Sequence, residues 1–141
     1  MGRKGRRTLA DGRSGEEQYL KLPYSMAHSL AWRSLSGGAV KIWIELHSRY
    51  NGRNNGALSL HYANASKQLG LGRATIRRAL DELQTKGFLV LVKQGFWYGH
   101  KAAEWRVTDQ SYAGNPPSRD WVNWRPVQKS EVGSKAEHIN P

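Results

Sequence analysis

Cysteine is absent from all 141 residues, which excludes a disulfide framework and any thiolate metal site. Acidic residues are scarce, 11 against 22 lysines and arginines, and the formal charge is +11. A surplus of that size implies a polyanionic partner, nucleic acid being the commonest. No apolar run approaches the roughly 20 residues that cross a bilayer, and the basic N-terminus lacks the apolar stretch of a secretory signal. The expectation is a cytoplasmic protein without membrane association. The five histidines stand at no metal-ligand spacing, and no nucleophile motif surrounds any serine, so neither enzyme activity nor a cofactor is expected.

What is present divides the chain unevenly. Residues 1–18 hold only Met1, Leu9 and Ala10 as apolar side chains, while Arg3, Lys4, Arg6, Arg7 and Arg13 stand against Asp11 in the first 14. That composition reads as a flexible basic arm. The apolar content sits in residues 19–112, which form the expected folded domain. Residues 113–141 include Asn115-Pro116-Pro117-Ser118 and end polar, which reads as a mostly flexible tail. Trp121 and Trp124 are its exceptions, and they suit docking onto the domain or onto a second copy as well as disorder.

Within the domain, Gly and Asn clusters cut the chain into short elements. Tyr24 to Trp32 is expected to form one helix, with Pro23 near its start. Ser36 suits an N-cap before a helix of roughly Gly38 to Tyr50, whose Ala39, Val40, Trp43, Ile44, His47 and Tyr50 are expected to face the core. Asn51 to Gly56 ends that helix with turn formers. Leu58 and Leu60 alternate around Ser59 as a very short strand. Tyr62 to Leu69 then predicts a helix, Gly70-Leu71-Gly72 a sharp turn, and Arg73 to Lys86 a second helix with Ile76, Ala79, Leu80 and Leu83 inward. Gly87 is expected as its left-handed cap. Phe88 to Lys93 reads as a strand buried on both faces and Glu104 to Thr108 as its partner, with a loop from Gln94 to Ala103 between them.

That order, helix, turn, helix and two-stranded wing, is the signature of a winged helix-turn-helix. The expected fold is therefore α+β, mainly helical, with a small antiparallel sheet and flexible termini. At about 100° per residue, Ala74, Arg78, Asp81 and Thr85 project outward from the second helix, with Arg77 on one flank and Thr75 and Glu82 on the other. A helix enters the major groove if its leading residues are slim and carry donors for base edges. Ala74, Thr75, Arg77 and Arg78 meet that need and are the candidate base contacts. Arg73, nearer the helix start and its positive dipole end, suits a backbone phosphate, as does Lys67 on the preceding helix. The bland reading is that Arg77 and Arg78 pair with Asp81 and Glu82 on a solvated face.

The run Leu69-Gly70-Leu71-Gly72-Arg73-Ala74-Thr75-Ile76-Arg77-Arg78-Ala79-Leu80, with Leu83 and Gly87-Phe88, resembles the winged helix-turn-helix of GntR-type bacterial regulators. The likeness covers roughly Leu58 to Thr108 and implies DNA-contacting roles for Arg73, Thr75 and Arg77. Gly72 departs from the family's usual Ser or Thr. The family also carries a large effector domain after the wing, where here residues 113–141 follow, so no small-molecule effector is expected. Leu22-Pro23-Tyr24 and Ala31-Trp32-Arg33-Ser34-Leu35-Ser36 more loosely resemble small winged-helix proteins of bacterial mobile elements and plasmids.

The resemblance implies a sequence-specific, nucleoid-associated regulator that binds double-stranded DNA, with a homodimer as a further expectation. The looser likeness leaves open a replication, excision or architectural DNA-binding role on a mobile element. Lys93, Gln94, His100 and Lys101 surround the wing tip as candidate phosphate contacts, and Arg3, Lys4, Arg6 and Arg7 suit an arm that orders along a groove. Phe96-Trp97-Tyr98 fits a wedge between base steps, a dimer contact or a fold back onto the core. A protein-interaction module using those aromatics and the tail tryptophans is the reading from another class.

Overall fold

The computed structural model describes residues 17–96 and 101–127. The architecture is α+β, with helices α1 (Tyr24–Ala27), α2 (Leu30–Arg33), α3 (Gly37–His47), α4 (Tyr62–Leu69) and α5 (Arg73–Thr85) beside strands β1 (Leu89–Lys93) and β2 (Glu104–Val107). The expected single helix from Tyr24 to Trp32 is broken at Ser29. Its hydroxyl donates to the Met26 carbonyl at 2.7 Å and accepts from the Trp32 amide at 3.0 Å, closing one helix and capping the next.

Helix α3 packs across α5, and its register differs from the expected one. Ala39, Ile42, Trp43, Leu46 and His47 are buried, whereas Ile44 is 43% exposed. Counting from Ala39 at helical spacing (i, i+3, i+4, i+7, i+8) reaches all five buried residues, and it leaves Ile44 outside the stripe. The helix also stops at His47 rather than Tyr50. His47 stays inside because both ring nitrogens are engaged. Nδ1 lies 3.0 Å from the Trp43 carbonyl oxygen, and Nε2 lies 2.9 and 3.1 Å from the two Asp109 carboxylate oxygens. The imidazole also stacks on the Trp43 ring with centroids 3.6 Å apart.

Helix α5 buries Ile76, Ala79, Leu80 and Leu83, the stripe its spacing predicts. Gly70 makes the entry possible. With φ +70° it ends α4 in the left-handed region, where a β-carbon costs energy. At the exit, the Phe88 amide reaches back to the Leu83 carbonyl (2.8 Å) and the Gly87 amide to Gln84 (3.2 Å), with Gly87 at φ +90°. This paired closure satisfies the last carbonyls of the helix. Gly87 is constrained a second time, because a Cβ there would lie 2.6 Å from the backbone of Asp120 and Trp121.

Strands β1 and β2 are antiparallel, with Leu89 opposite Val107 and Leu91 opposite Trp105, and an irregularity between Leu91 and Lys93. The expected strand at Leu58 and Leu60 reduces to one bridge, Leu58 with Trp105. Asn55 extends that edge with its side chain. Its Oδ1 accepts from the Val107 amide at 2.8 Å and its Nδ2 donates to the Val107 carbonyl at 3.0 Å. Nor is β1 buried on both faces. Leu89 is buried against the helices, but Leu91 and Val92 are 36% and 41% exposed, because a two-stranded ribbon runs out past the helices that would cover it.

Packing continues beyond Tyr112. A 3-10 turn at Asp120–Asn123 brings Trp121 to 5% exposure, stacked on Phe88 with centroids 5.7 Å apart and planes 6° from parallel. Lys86 Nζ lies 5.2 Å from the centre of the Trp124 ring, and the Arg119 amide donates to Thr108 at 2.8 Å. The segment read as mostly flexible therefore supplies a core tryptophan. The basic arm residues Arg3, Lys4, Arg6 and Arg7 lie outside the described residues, as do Trp97, Tyr98 and His100.

Candidate nucleic-acid interface

The start of α5 is exposed and cationic for local reasons. Gly72 occupies the N-cap without a side chain, and no acidic residue falls in the first turn, so the free amides and the helix dipole keep their positive character. Arg73, Ala74, Arg77 and Arg78 are exposed, and Thr75 is half-buried. The inward stripe fixes this rotation, since burying Ile76 and Leu80 turns Arg77 and Arg78 to solvent.

Carboxylates do not neutralise this surface. Arg77 and Arg78 stand four residues before Asp81 and Glu82, a spacing that permits ion pairs. Among the described residues the ion pairs are His47–Asp109, Arg49–Glu45 and Lys86–Glu82, and none involves an arginine of α5. Glu82 is taken up elsewhere. It accepts from the Ser36 amide at 2.9 Å, the Ser36 hydroxyl at 2.7 Å and Lys86 Nζ at 3.1 Å. Burial alone would raise the Glu82 pKa, but the hydrogen bonds from Ser36 and the Lys86 ammonium outweigh it and hold the carboxyl below its usual value. The bland reading, arginines spent on carboxylates of their own helix, does not describe this surface.

Arg78 instead donates from Nη2 to Thr75 Oγ1 at 3.3 Å. Thr75 in turn faces α3, where a Cβ placed on Gly38 would sit 3.4 Å from its Cγ2. The charge of Arg77 acts on Tyr62 at the start of α4. Burial raises the Tyr62 pKa, the positive Arg77 opposes that shift, and Asp81 adds to it.

A cleft of about 630 Å³ opens between the start of α4, the start of α5 and the hairpin, lined by Leu60, His61, Tyr62, Arg73, Phe96 and Lys101 among others. It brings together Arg73 and Lys101, two of the residues expected at phosphates. Lys93 and Gln94 are exposed where β1 ends, before Phe96, and Lys67 is exposed on the last turn of α4. The hairpin continues past β1 and β2 through Phe96 and Lys101, which exchange hydrogen bonds of 2.8 and 3.0 Å.

Two features of this surface escape a linear reading. His61 and Tyr62 line the cleft because they begin α4, and helix-start position is a weak signal in the chain. Lys41 on α3 donates to the Leu69 carbonyl at 3.1 Å, placing a cation beside the turn between α4 and α5. Nothing in the spacing of Lys41 points across 28 residues to Leu69. Among the described residues no cluster of His, Asp and Glu is arranged to hold a metal ion, and no helix is long and apolar enough to cross a membrane.

The chain matches no protein-family profile, and no curated protein or solved structure matches it significantly.

Proposed function

We propose that this chain is a winged helix-turn-helix protein that binds double-stranded DNA sequence-specifically, with α5 in the major groove, and acts as a transcriptional regulator. One observation carries the reading. Arg73, Arg77 and Arg78 crowd the exposed start of a helix whose opposite face is buried, and among the described residues no carboxylate pairs with them. A desolvated core face opposite an unneutralised cationic face has an obvious use against a polyanion.

The order of elements supports the fold assignment. An 11-residue helix precedes a bridge residue, the α4–turn–α5 unit and an antiparallel hairpin, and the bridge residue pairs with the returning strand of that hairpin. In this arrangement α5 offers Ala74, Arg77 and Arg78 to base edges with Thr75 half-buried beside them, while Arg73 and Lys101 line one cleft, where a phosphate would meet both cations. The reading by which tail tryptophans recruit a protein partner loses support, since Trp121 is spent in the core.

Salt titration of binding to a duplex tests the reading. If Arg73 and Lys101 each neutralise a phosphate, replacing either by Ala weakens binding on all sequences and lowers the salt slope by about 1. Wild-type affinity that is insensitive to salt contradicts DNA binding altogether. Footprinting near the protein's own gene separates the roles: a two-fold site over a promoter fits a regulatory homodimer, whereas arrayed repeats fit a replication or excision factor of a mobile element.

A further inference from the structure

We infer that Thr75 is a positioning residue that aims Arg78 at a guanine, and that the packing of α3 against α5 prepares this pair before DNA arrives. The inference rests on the DNA-binding reading above and adds the base recognised and the means of its recognition.

An exposed arginine on a helix has two ordinary fates. It samples many rotamers, or it pairs with a carboxylate one turn along. For Arg78 that carboxylate is Glu82, and Ser36 at the start of α3 holds it with hydrogen bonds of 2.9 and 2.7 Å while Lys86 adds a third at 3.1 Å. The guanidinium turns the other way, and Nη2 donates to Thr75 Oγ1 at 3.3 Å. Thr75 is itself restrained, half-buried with its methyl toward Gly38 in the first turn of α3. The same end of α3 thus occupies the competing carboxylate and backs the threonine that receives the arginine.

The outcome is a planar fork with one N–H committed and its remaining donors without a partner among the described residues, next to Ala74, whose methyl does not block approach. Two in-plane acceptors complement such a fork. In the major groove the base edge that offers them is guanine, through O6 and N7. A phosphate also accepts two hydrogen bonds from arginine, but a phosphate contact carries no base preference. That difference supplies the test.

Binding of the full chain to a randomised duplex pool is measured at fixed salt for wild type, Arg78→Ala, Thr75→Val and Thr75→Ser, with thermal unfolding of each. We expect a guanine preference at one position of the wild-type site that falls about 10- to 100-fold in Arg78→Ala. Thr75→Val keeps the methyl packing and loses the hydroxyl, so the same preference falls about 3- to 10-fold at unchanged thermal stability. Thr75→Ser, which keeps the hydroxyl, restores it. If Arg78→Ala weakens all sequences equally, Arg78 is a phosphate contact and the inference fails. It fails also if Thr75→Val leaves the guanine preference intact. Wild-type protein that binds every sequence alike, or none, overturns the parent reading instead.

Discussion

Glu82 in the last turn of α5 accepts hydrogen bonds from both the amide and the hydroxyl of Ser36, while the same hydroxyl caps α3 by accepting from the Ala39 amide at 3.2 Å. One serine thereby closes a helix start and ties it to the helix that carries the exposed arginines. The pair also takes from Arg78 the carboxylate four residues along.

Because Glu82 is held below the usual carboxylate pKa of 4.5, stability gained from its ionised form is fully present above that value. It is lost as pH falls through the lower folded-state pKa. Wild type is therefore expected to lose thermal stability on acidification from about pH 4.5 downward, and Glu82→Gln to show a shallower decline. Melting temperatures across that interval decide the matter, and parallel curves for the two proteins rule out the contribution. At neutral pH, Glu82→Ala is expected to cost about 1 kcal/mol, since the bonds are charge-assisted but partly solvated.

Trp121 is expected to behave as a core residue although it follows the proline-containing segment. Trp121→Ala removes a ring stacked on Phe88 and is expected to cost about 3–5 kcal/mol in denaturant unfolding. Gly87→Ala strains a backbone at φ +90° and drives a Cβ against Asp120 and Trp121, so it is expected to destabilise by more than about 1 kcal/mol. A chain ending at Tyr112 that unfolds at the wild-type denaturant midpoint contradicts the first expectation, and a Gly87→Ala midpoint equal to wild type contradicts the second.

His47 and Asp109 join the last turn of α3 to the segment leaving β2, with side chains only 6% and 8% exposed. Removing one partner strands the other at depth. Asp109→Ala is expected to cost about 3–5 kcal/mol by urea unfolding, the range for breaking a buried pair. A loss below about 1 kcal/mol places the pair among ordinary surface interactions.

Much of the scaffold is legible in the chain because it rests on local chemistry. Ile76, Ala79, Leu80 and Leu83 repeat at helical spacing, and Gly70 and Gly87 stand where the backbone turns left-handed, so α5 and both its ends follow from neighbours within one turn. Helix α3 misleads because its central run Ile42-Trp43-Ile44 puts apolar side chains on more than one face. Val40 and Ile44, one turn apart, make a second apolar pair, and burial falls instead on Ile42 and Leu46 and leaves Ile44 43% exposed. The tail misleads for the opposite reason. Its composition is that of a linker, and the burial of Trp121 depends on Phe88, which lies far off in sequence.

The glycine turn and the arginines after it belong to the chain alone, since helical rotation about a buried stripe must send Arg77 and Arg78 outward whatever the helix packs against. Whether those arginines stay free is not a local question. It depends on Ser36 occupying Glu82 and on Thr75 leaning on Gly38, pairings across dozens of residues, with Lys86 adding a contact to Glu82 from one turn along. Side chains one turn apart can compete for the same charge, and the winner is chosen by the geometry of a third element that sequence spacing does not encode.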